Sequence, residues 1–165
     1  MKYEIERRFL MQNDNWRHLG VAGELFRQGF LSTVRERVVR VRVVGERATL
    51  TIKGIAQQQS FTRAEFEYTI PLDDGNYLLE QLCETPLIEK RRYTIPIGAL
   101  VWEIDEFFGD NQGLILAEVE LQQEQQEIGS LPDWVGREIT YDARYSNASL
   151  VHHPWGRWSP EERNL

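Results

Sequence analysis

Pairs of like-charged residues, spaced two positions apart, recur along this 165-residue chain. The acidic pairs are Glu4 and Glu6, Glu65 and Glu67, Glu103 and Asp105, and Glu118 and Glu120; the basic pairs are Arg40 and Arg42, and Lys90 and Arg92. Side chains two residues apart leave a β-strand on the same face. Each strand would therefore present one sign of charge on one face, apart from the first, where Arg8 follows Glu6.

Two interpretations of this pattern stay open at this point. The charges could form the solvated face of an antiparallel sheet, where opposite charges on adjacent strands stabilise by roughly 0.2–1 kcal/mol per pair. They could instead line the interior of a closed sheet whose apolar residues face outward against helices. The intervening apolar residues, Val41, Phe66, Ile104 and Val119 among them, favour the second interpretation because they need burial outside the charged surface.

An interior charged surface predicts both a cation and an anion as ligands. Crowded carboxylates raise one another's pKa and protonate unless a cation neutralises them. Their hard oxygen ligands favour Mg²⁺ or Mn²⁺ over zinc. Arginine forks fit phosphate oxygens in pairs. The basic set comprises Arg8, Arg40, Arg42, Lys53, Lys90 and Arg92. These residue types together predict a metal-dependent phosphate-transfer site.

The segments that carry these charges are predicted to be mainly strands. Period-two alternation between turn signals predicts eight strands, at residues 3–10, 24–31, 34–43, 47–53, 63–70, 87–95, 100–107 and 114–122. A helix with capping aspartates is predicted from Asp73 or Asp74 to Leu82, and short helices at residues 132–134 and 143–151. We therefore expect an α+β fold dominated by antiparallel strands, with the sheet closed into a barrel or packed on a second sheet.

Composition excludes several classes of protein. Hydrophobic residues at 41% and charged residues at 27% are typical of a soluble globular domain. A net charge of −7 disfavours broad binding to nucleic acid or to anionic membranes. The single cysteine, Cys83, excludes an internal disulfide and suits a reducing cytosol.

We expect a cytoplasmic protein without a signal peptide or a membrane-spanning stretch, because the N-terminal residues are charged and the apolar runs are short. The expected organisation is one domain over residues 1–151, with a tail over residues 152–165 that packs on it or trails from it. A homodimer is left open.

Several segments, taken in order along the chain, resemble one protein family. They are Glu4-Ile-Glu6-Arg-Arg8, Phe26-Arg27-Gln28-Gly29-Phe30-Leu31, Arg40-Val-Arg42, Leu50-Thr-Ile-Lys53-Gly54, Arg63-Ala-Glu65-Phe-Glu67-Tyr68, Ile88-Glu-Lys90-Arg-Arg92-Tyr93, Trp102-Glu-Ile-Asp105, Ala117-Glu118-Val-Glu120-Leu121 and Trp134-Val-Gly136-Arg-Glu138-Ile-Thr140. The set resembles the CYTH, or triphosphate tunnel metalloenzyme, superfamily, and looks most like its short bacterial members. Arg8 departs from the family signature, which has lysine at this position.

The resemblance implies a closed eight-stranded antiparallel barrel whose lumen binds a linear triphosphate. It implies Mg²⁺ or Mn²⁺ at Glu4, Glu6, Asp105, Glu118 and Glu120, and triphosphate at Arg8, Arg40, Arg42, Lys53, Lys90 and Arg92. Catalytic roles are expected for Arg8, Lys53, Glu65 and Glu67. The expected reaction is metal-dependent hydrolysis of a triphosphate, with inorganic tripolyphosphate as the leading substrate and nucleoside triphosphates or thiamine triphosphate as other candidates. The alternatives are an adenylate cyclase of the same fold and a non-catalytic barrel that binds polyphosphate.

Overall fold

A computed structural model describes residues 2–55 and 62–164, without the side chains of residues 2–4 and 62. Within these ranges nine strands form one antiparallel sheet. They are β1 (Lys2–Met11), β2 (Glu24–Ser32), β3 (Arg37–Val44), β4 (Arg47–Gly54), β5 (Thr62–Ile70), β6 (Ile88–Ile97), β7 (Leu100–Phe107), β8 (Ile115–Glu120) and β9 (Val135–Glu138).

Helices are few and short in the described ranges. They are α1 (Leu72–Tyr77), which continues directly into a π-helical turn (Leu78–Leu82), α2 (Asn147–His152) and α3 (Pro160–Asn164). Single 3₁₀ turns span Asn15–Leu19, Gly109–Asn111, Ala143–Tyr145 and Trp155–Arg157. None of the helices in the described part of the chain is long and apolar enough to cross a membrane.

The sheet curls so that its two ends meet only in part. The strand order is β5-β4-β3-β2-β6-β7-β8-β1-β9, and β1 also pairs with β5 from Lys2 opposite Glu65 to Ile5 opposite Thr62. Beyond Ile5, β1 pairs with β8 on one edge and with β9 on the other. The antiparallel, strand-dominated α+β class is confirmed. The closed eight-stranded barrel is not, because a ninth strand occupies the part of the β1 edge that full closure would need.

Most predicted elements are present, and the differences have local causes. The segment at 132–134 is a turn that leads into β9, with the Val135 amide donating to the Pro132 carbonyl at 3.0 Å, so the predicted helix there is wrong. Helix α1 begins after Pro71, and no side chain caps it, so its aspartates lie in the first turn instead. Gly75 lies inside α1 because a Cβ there would come within 2.6 Å of the Ala48 Cβ on β4.

The side of the sheet opposite the charged residues packs mainly against helices, turns and loops. One buried cluster joins Phe9, Trp102, Ile104 and Val119 to Trp16 and Trp134. A second places Val41, Val43 and Ala48 against Leu79, in the π-helical turn after α1. The predicted apolar shell is therefore present over β1, β3, β7 and β8. It does not extend over β5, where Phe66 is 40% exposed.

Candidate functional site

The register of the strands brings the predicted acidic and basic residues onto one side of the sheet, because directly opposed residues share a face. Examples are Arg40 opposite Thr51, Thr51 opposite Glu67, Lys53 opposite Glu65, Arg92 opposite Asp105, Glu103 opposite Glu118, Arg8 opposite Glu118 and Glu6 opposite Glu120. We call this side the charged face; its charged side chains include those of Glu6, Arg8, Arg40, Arg42, Lys53, Glu65, Glu67, Lys90, Arg92, Glu103, Asp105, Glu118 and Glu120. The backbone of Glu4 lies opposite Arg63, but its side chain is outside the described residues.

Asp105 is the centre of a buried group of ion pairs on this face. Asp105 and Lys90 are 0% and 1% exposed, and the Lys90 Nζ lies 2.5 Å from the Asp105 Oδ2. Arg92 donates from Nε to Oδ1 and from Nη2 to Oδ2, both at 2.7 Å. Burial would raise the pKa of Asp105, but Arg92 and Lys90 hold it well below its usual range. Both oxygens of Asp105 therefore already serve cations, unlike an open metal ligand.

The ammonium of Lys90 is held in an unfavourable place for a charge. Burial is the main cause that lowers the pKa of Lys90 to about 8; Arg92 and Arg42 act in the same direction, and Asp105 and Glu118 act against it. An additional anion close to Lys90 would favour its charged form.

Arg92 connects the basic residues to the acidic strands β7 and β8. Its Nη2 donates to the Glu118 Oε2 at 2.9 Å, and its Nη1 donates to Glu103. Burial would lower the pKa of Arg92, but Asp105, Glu118 and Glu103 together hold it well above the ordinary value. Burial raises the pKa of Glu103, and the neighbouring Glu118 and Asp105 add to this. Arg92 is therefore the main counter-charge that holds these three carboxylates together.

Arg42 differs from the other predicted phosphate-binding residues because it forms no ion pair within the described part of the chain. Its Nε donates to the Gln28 Oε1 at 3.1 Å, and its guanidinium lies 5.0 Å from the centre of the Phe26 ring. Burial lowers the pKa of Arg42 to about 9, and the positive charges of Arg40 and Arg92 contribute. A partly buried guanidinium beside two others is stabilised by an anion.

Phe26 is the aromatic residue around which three of the cations gather. The Arg92 guanidinium lies 5.2 Å and the Lys90 ammonium 6.0 Å from the centre of its ring, alongside Arg42. An aromatic ring attracts cations through its quadrupole but adds no negative charge. Phe26 therefore gathers positive charge without neutralising it.

On β3, β4 and β5, basic and acidic side chains are already paired. The Lys53 Nζ lies 3.1 Å from the Glu65 Oε2, and both side chains are largely buried. Arg40 donates to the Thr51 hydroxyl at 3.1 Å, and this hydroxyl donates to the Glu67 Oε2 at 3.1 Å. These contacts with Glu65 and Glu67 orient Lys53 and Arg40.

The side chain of Arg8 turns towards the C-terminal part of the protein. Its Nη1 donates to the carbonyl oxygen of Tyr145 at 3.1 Å, and its Nε lies 3.7 Å from the Glu6 Oε1. A lysine has a single terminal nitrogen, so it could not contact the Tyr145 carbonyl and the Glu6 carboxylate with two separate nitrogens as Arg8 does. The residue that departs from the family signature therefore has a structural contact of its own.

Carboxylates face one another across β1, β7 and β8. Glu6 lies opposite Glu120, and Glu103 lies opposite Glu118. Like charges directly opposed across strands are destabilising, so a hard cation between them would be favourable. Among the side chains that the structure describes, no three acidic, histidine or cysteine residues lie close enough together to hold a metal ion. The chemistry of the described donors fits a divalent metal.

An apolar cluster closes one end of the charged face. It contains Phe30, Ile88, Phe107 and Leu116 from the strands, and Tyr145, Leu150, Val151 and Trp158 from residues 143–158, here called the C-terminal segment. Each of the four strand residues lies two positions from a polar member of the charged face and so points to the same side. The C-terminal segment therefore forms the wall at this end of the face.

Sequence reasoning missed three residues of this face. Glu103 was visible as the partner of Asp105 in an acidic pair, so its spacing could have included it. Gln28 and Phe26 lie in Phe26-Arg27-Gln28-Gly29-Phe30-Leu31, a segment that carries the family resemblance, but the sequence reasoning gave neither of them a role in the site.

Comparisons with known proteins identify the family of the chain. The family model "CYTH domain" matches residues 2–154. An inorganic triphosphatase from Acetivibrio thermocellus is 43% identical over 155 residues, which cover 94% of this chain and 97% of the relative. The crystal structure of the inorganic triphosphatase NE1496 superposes with a TM-score of 0.64 at 30% identity, covering 92% of this chain and 95% of that one.

A conserved hypothetical protein from Pyrococcus furiosus, at 17% identity and a TM-score of 0.55, shares the fold over 74% of this chain and 80% of its own. The predicted resemblance is thereby confirmed: the chain belongs to the CYTH domain family.

Proposed function

We propose that this protein is a metal-dependent triphosphatase that binds a linear triphosphate along the charged face and hydrolyses it. Inorganic tripolyphosphate is the leading substrate, and the products are phosphate and pyrophosphate. The predicted activity is supported by the 43% identical inorganic triphosphatase, which matches almost the whole chain. The observation that carries the proposal is Arg42, a guanidinium beside Arg40 and Arg92 that forms no ion pair in the described part of the chain. Among small anions, a triphosphate carries enough charge to neutralise such a group.

The basic side chains have different roles in binding the phosphates. Arg42 and Arg8 each have guanidinium N–H groups without a hydrogen-bond partner among the described residues, and these groups can donate to phosphate oxygens. The other proposed phosphate-binding residues are Arg40, Lys53, Lys90 and Arg92. Glu65 and Glu67 hold Lys53 and Arg40 in position from β5.

A divalent metal, for which we propose Mg²⁺ or Mn²⁺, would be held by Glu4, Glu6, Glu118 and Glu120. Triphosphatases of this family are metal-dependent in general. When bound, the ion supplies charge neutralisation and lowers the pKa of a coordinated water. We assign Asp105 a different part from the one expected, because Lys90 and Arg92 already engage both of its oxygens. Asp105 would hold these two cations towards the substrate.

Hydrolysis here needs no covalent intermediate. Phosphoryl transfer is catalysed mainly by positioning and by stabilising the charge that spreads over the phosphate oxygens. Lys90, Arg92 and Arg42 surround Phe26 and would face the same stretch of bound phosphate. Because they are already held by Asp105 and Gln28, little reorganisation is required as the transition state forms.

The test is phosphate release from tripolyphosphate, ATP and thiamine triphosphate, each with Mg²⁺, with Mn²⁺ and with excess chelator. We expect metal-dependent release, fastest with tripolyphosphate. Arg42→Ala should abolish most of it, whereas Arg47→Ala, an exposed arginine on β4, should not. Production of cyclic AMP from ATP would favour a cyclase. Absence of turnover with all three substrates, together with tight tripolyphosphate binding, would favour a non-catalytic binder.

A further inference from the structure

We infer that Gln28 and Asn147 are positioning residues that connect α2 of the C-terminal segment to Arg42. The Gln28 Nε2 donates to the Asn147 Oδ1 at 2.9 Å, and the Gln28 Oε1 accepts from the Arg42 Nε at 3.1 Å. Gln28 therefore connects Asn147, which lies 119 positions from it in the sequence, to Arg42, which lies 14 positions from it. The inference rests on the proposed function, since it assigns Arg42 to the bound phosphate.

The chemistry of the three groups allows only one orientation of this chain of hydrogen bonds. Arginine has donors and no acceptor, so the amide oxygen of Gln28 must face Arg42. The amide nitrogen of Gln28 then faces Asn147, which must present its oxygen. A glutamate at position 28 could not donate to Asn147, and an apolar residue would serve neither partner. Glutamine is suited to this position because it is both a donor and an acceptor.

The surroundings of Gln28 give these hydrogen bonds their importance. Its side chain is completely buried, between Phe26 and Phe30 along β2 and opposite Ile88 on β6. A buried amide is costly unless its polar atoms are paired. Asn147 supplies the pairing that keeps Gln28 in the conformation that holds Arg42.

Holding Arg42 through Nε has a consequence for its other nitrogens. The two Nη groups have no hydrogen-bond partner among the described residues, so they remain for the ligand. These two groups can donate in parallel to phosphate oxygens, an arrangement that depends on the angle of the guanidinium plane. Gln28 determines that angle by accepting from Nε.

A second contact joins the same part of the C-terminal segment to the charged face. Arg8 donates to the Tyr145 carbonyl, two residues before Asn147. Tyr145 and Leu150 are fully buried in the apolar cluster that closes this end of the face. The C-terminal segment is thus anchored by its apolar side chains; it contacts Arg8 through Tyr145, and it is linked to Arg42 through Asn147 and Gln28.

A double-mutant cycle between Asn147 and Arg42 tests the inference, using Asn147→Ala, Arg42→Ala and the combination. Two quantities are measured: the Kd of tripolyphosphate in excess chelator, and kcat for phosphate release with metal. We expect Asn147→Ala to weaken binding roughly five- to fifty-fold, which lies within the roughly two- to 150-fold coupling found for residues in one hydrogen-bond network. In the Arg42→Ala background the same change should have an effect of less than about two-fold, because the group being positioned is absent.

The controls separate this role from general loss of structure. His152→Ala changes an exposed residue of α2 that contacts Glu84 and Thr33, so its binding and turnover should match those of the wild type. Gln28→Met keeps the side-chain volume and removes both hydrogen bonds. If Asn147→Ala does not fold, Gln28→Met takes its place in the cycle with Arg42→Ala. Additive effects in the cycle would overturn the inference. A wild-type protein that neither binds nor hydrolyses tripolyphosphate would instead overturn the proposed function.

Discussion

Replacing Asp105 with asparagine is expected to destabilise the fold by about 3–5 kcal/mol, the usual cost of removing one partner from a buried ion pair. Asp105 is fully buried and accepts hydrogen bonds from Lys90 at 2.5 Å and from Arg92 at 2.7 Å. Asparagine has nearly the same shape but no charge, and its amide nitrogen would face one of these donors. Two cations would then remain buried with much less compensation.

Thermal unfolding at neutral pH measures this effect. For a domain of this size each kcal/mol shifts Tm by about 2–4 °C, so the expected fall is about 6–20 °C. Asp14→Asn is the matched control, because Asp14 is 72% exposed and lies 3.6 Å from the Arg17 Nε. A surface pair of this kind contributes about 0–1 kcal/mol. If the two variants lost the same small amount of stability, the assignment of Asp105 as a buried counter-charge would be refuted.

The pH dependence of the same difference is a further check. The pKa of Asp105 is depressed in the folded state. Its contribution is therefore present above the unfolded-state pKa of about 3.9 and is lost as the pH falls through the folded-state pKa. The stabilities of the wild type and Asp105→Asn should differ most near neutral pH and converge below about pH 4. A difference that stays constant down to about pH 2 would contradict this expectation.

Other predictions concern Arg8, the proposed metal ligands and Cys83. Arg8→Lys should lower kcat with tripolyphosphate roughly ten- to hundred-fold, because a charged hydrogen bond of about 1.5–3 kcal/mol is lost, and Arg8→Ala should lower it further; wild-type turnover by Arg8→Ala would exclude this residue from the site. Glu4→Gln and Glu120→Gln should each abolish metal-dependent turnover without lowering Tm, because removing a carboxylate also relieves repulsion; full turnover by both, or in excess chelator, would disprove the ligand assignment. Burial raises the pKa of Cys83 to about 11, so its reaction with a disulfide reagent near neutral pH should be much slower than that of free cysteine, and equal rates would show an accessible thiolate.

Local alternation was enough to predict the strands and that these charged residues share one side of the sheet. Arg40 and Arg42, for example, share a face in any strand because the side-chain period is two. The same periodicity placed Val41 on the opposite, buried side. The predicted strand bounds differ from the observed ones by at most a few residues, since turn signals such as Gly45 lie directly between β3 and β4.

Other features depend on contacts that no local pattern encodes. Strand β9 is only four residues long and exists because it pairs with the second half of β1, more than 120 positions earlier. That pairing also prevents the full closure that was expected. The exposed Phe66 on β5 reflects the absence of a covering helix among the described residues, which the sequence of β5 itself does not reveal.

The sequence by itself determined which charges share a face and which ligands that face would attract, because both follow from side-chain period and residue type. Only the tertiary structure decided how the charges are paired. Asp105 and Glu118 are both acidic residues of alternating strands, yet Asp105 is enclosed by two cations while Glu118 faces Glu103 and Arg8 across its neighbouring strands. The link from Asn147 to Arg42 likewise requires α2 to pack against β2, and long-range packing is set by the whole chain rather than by any one segment.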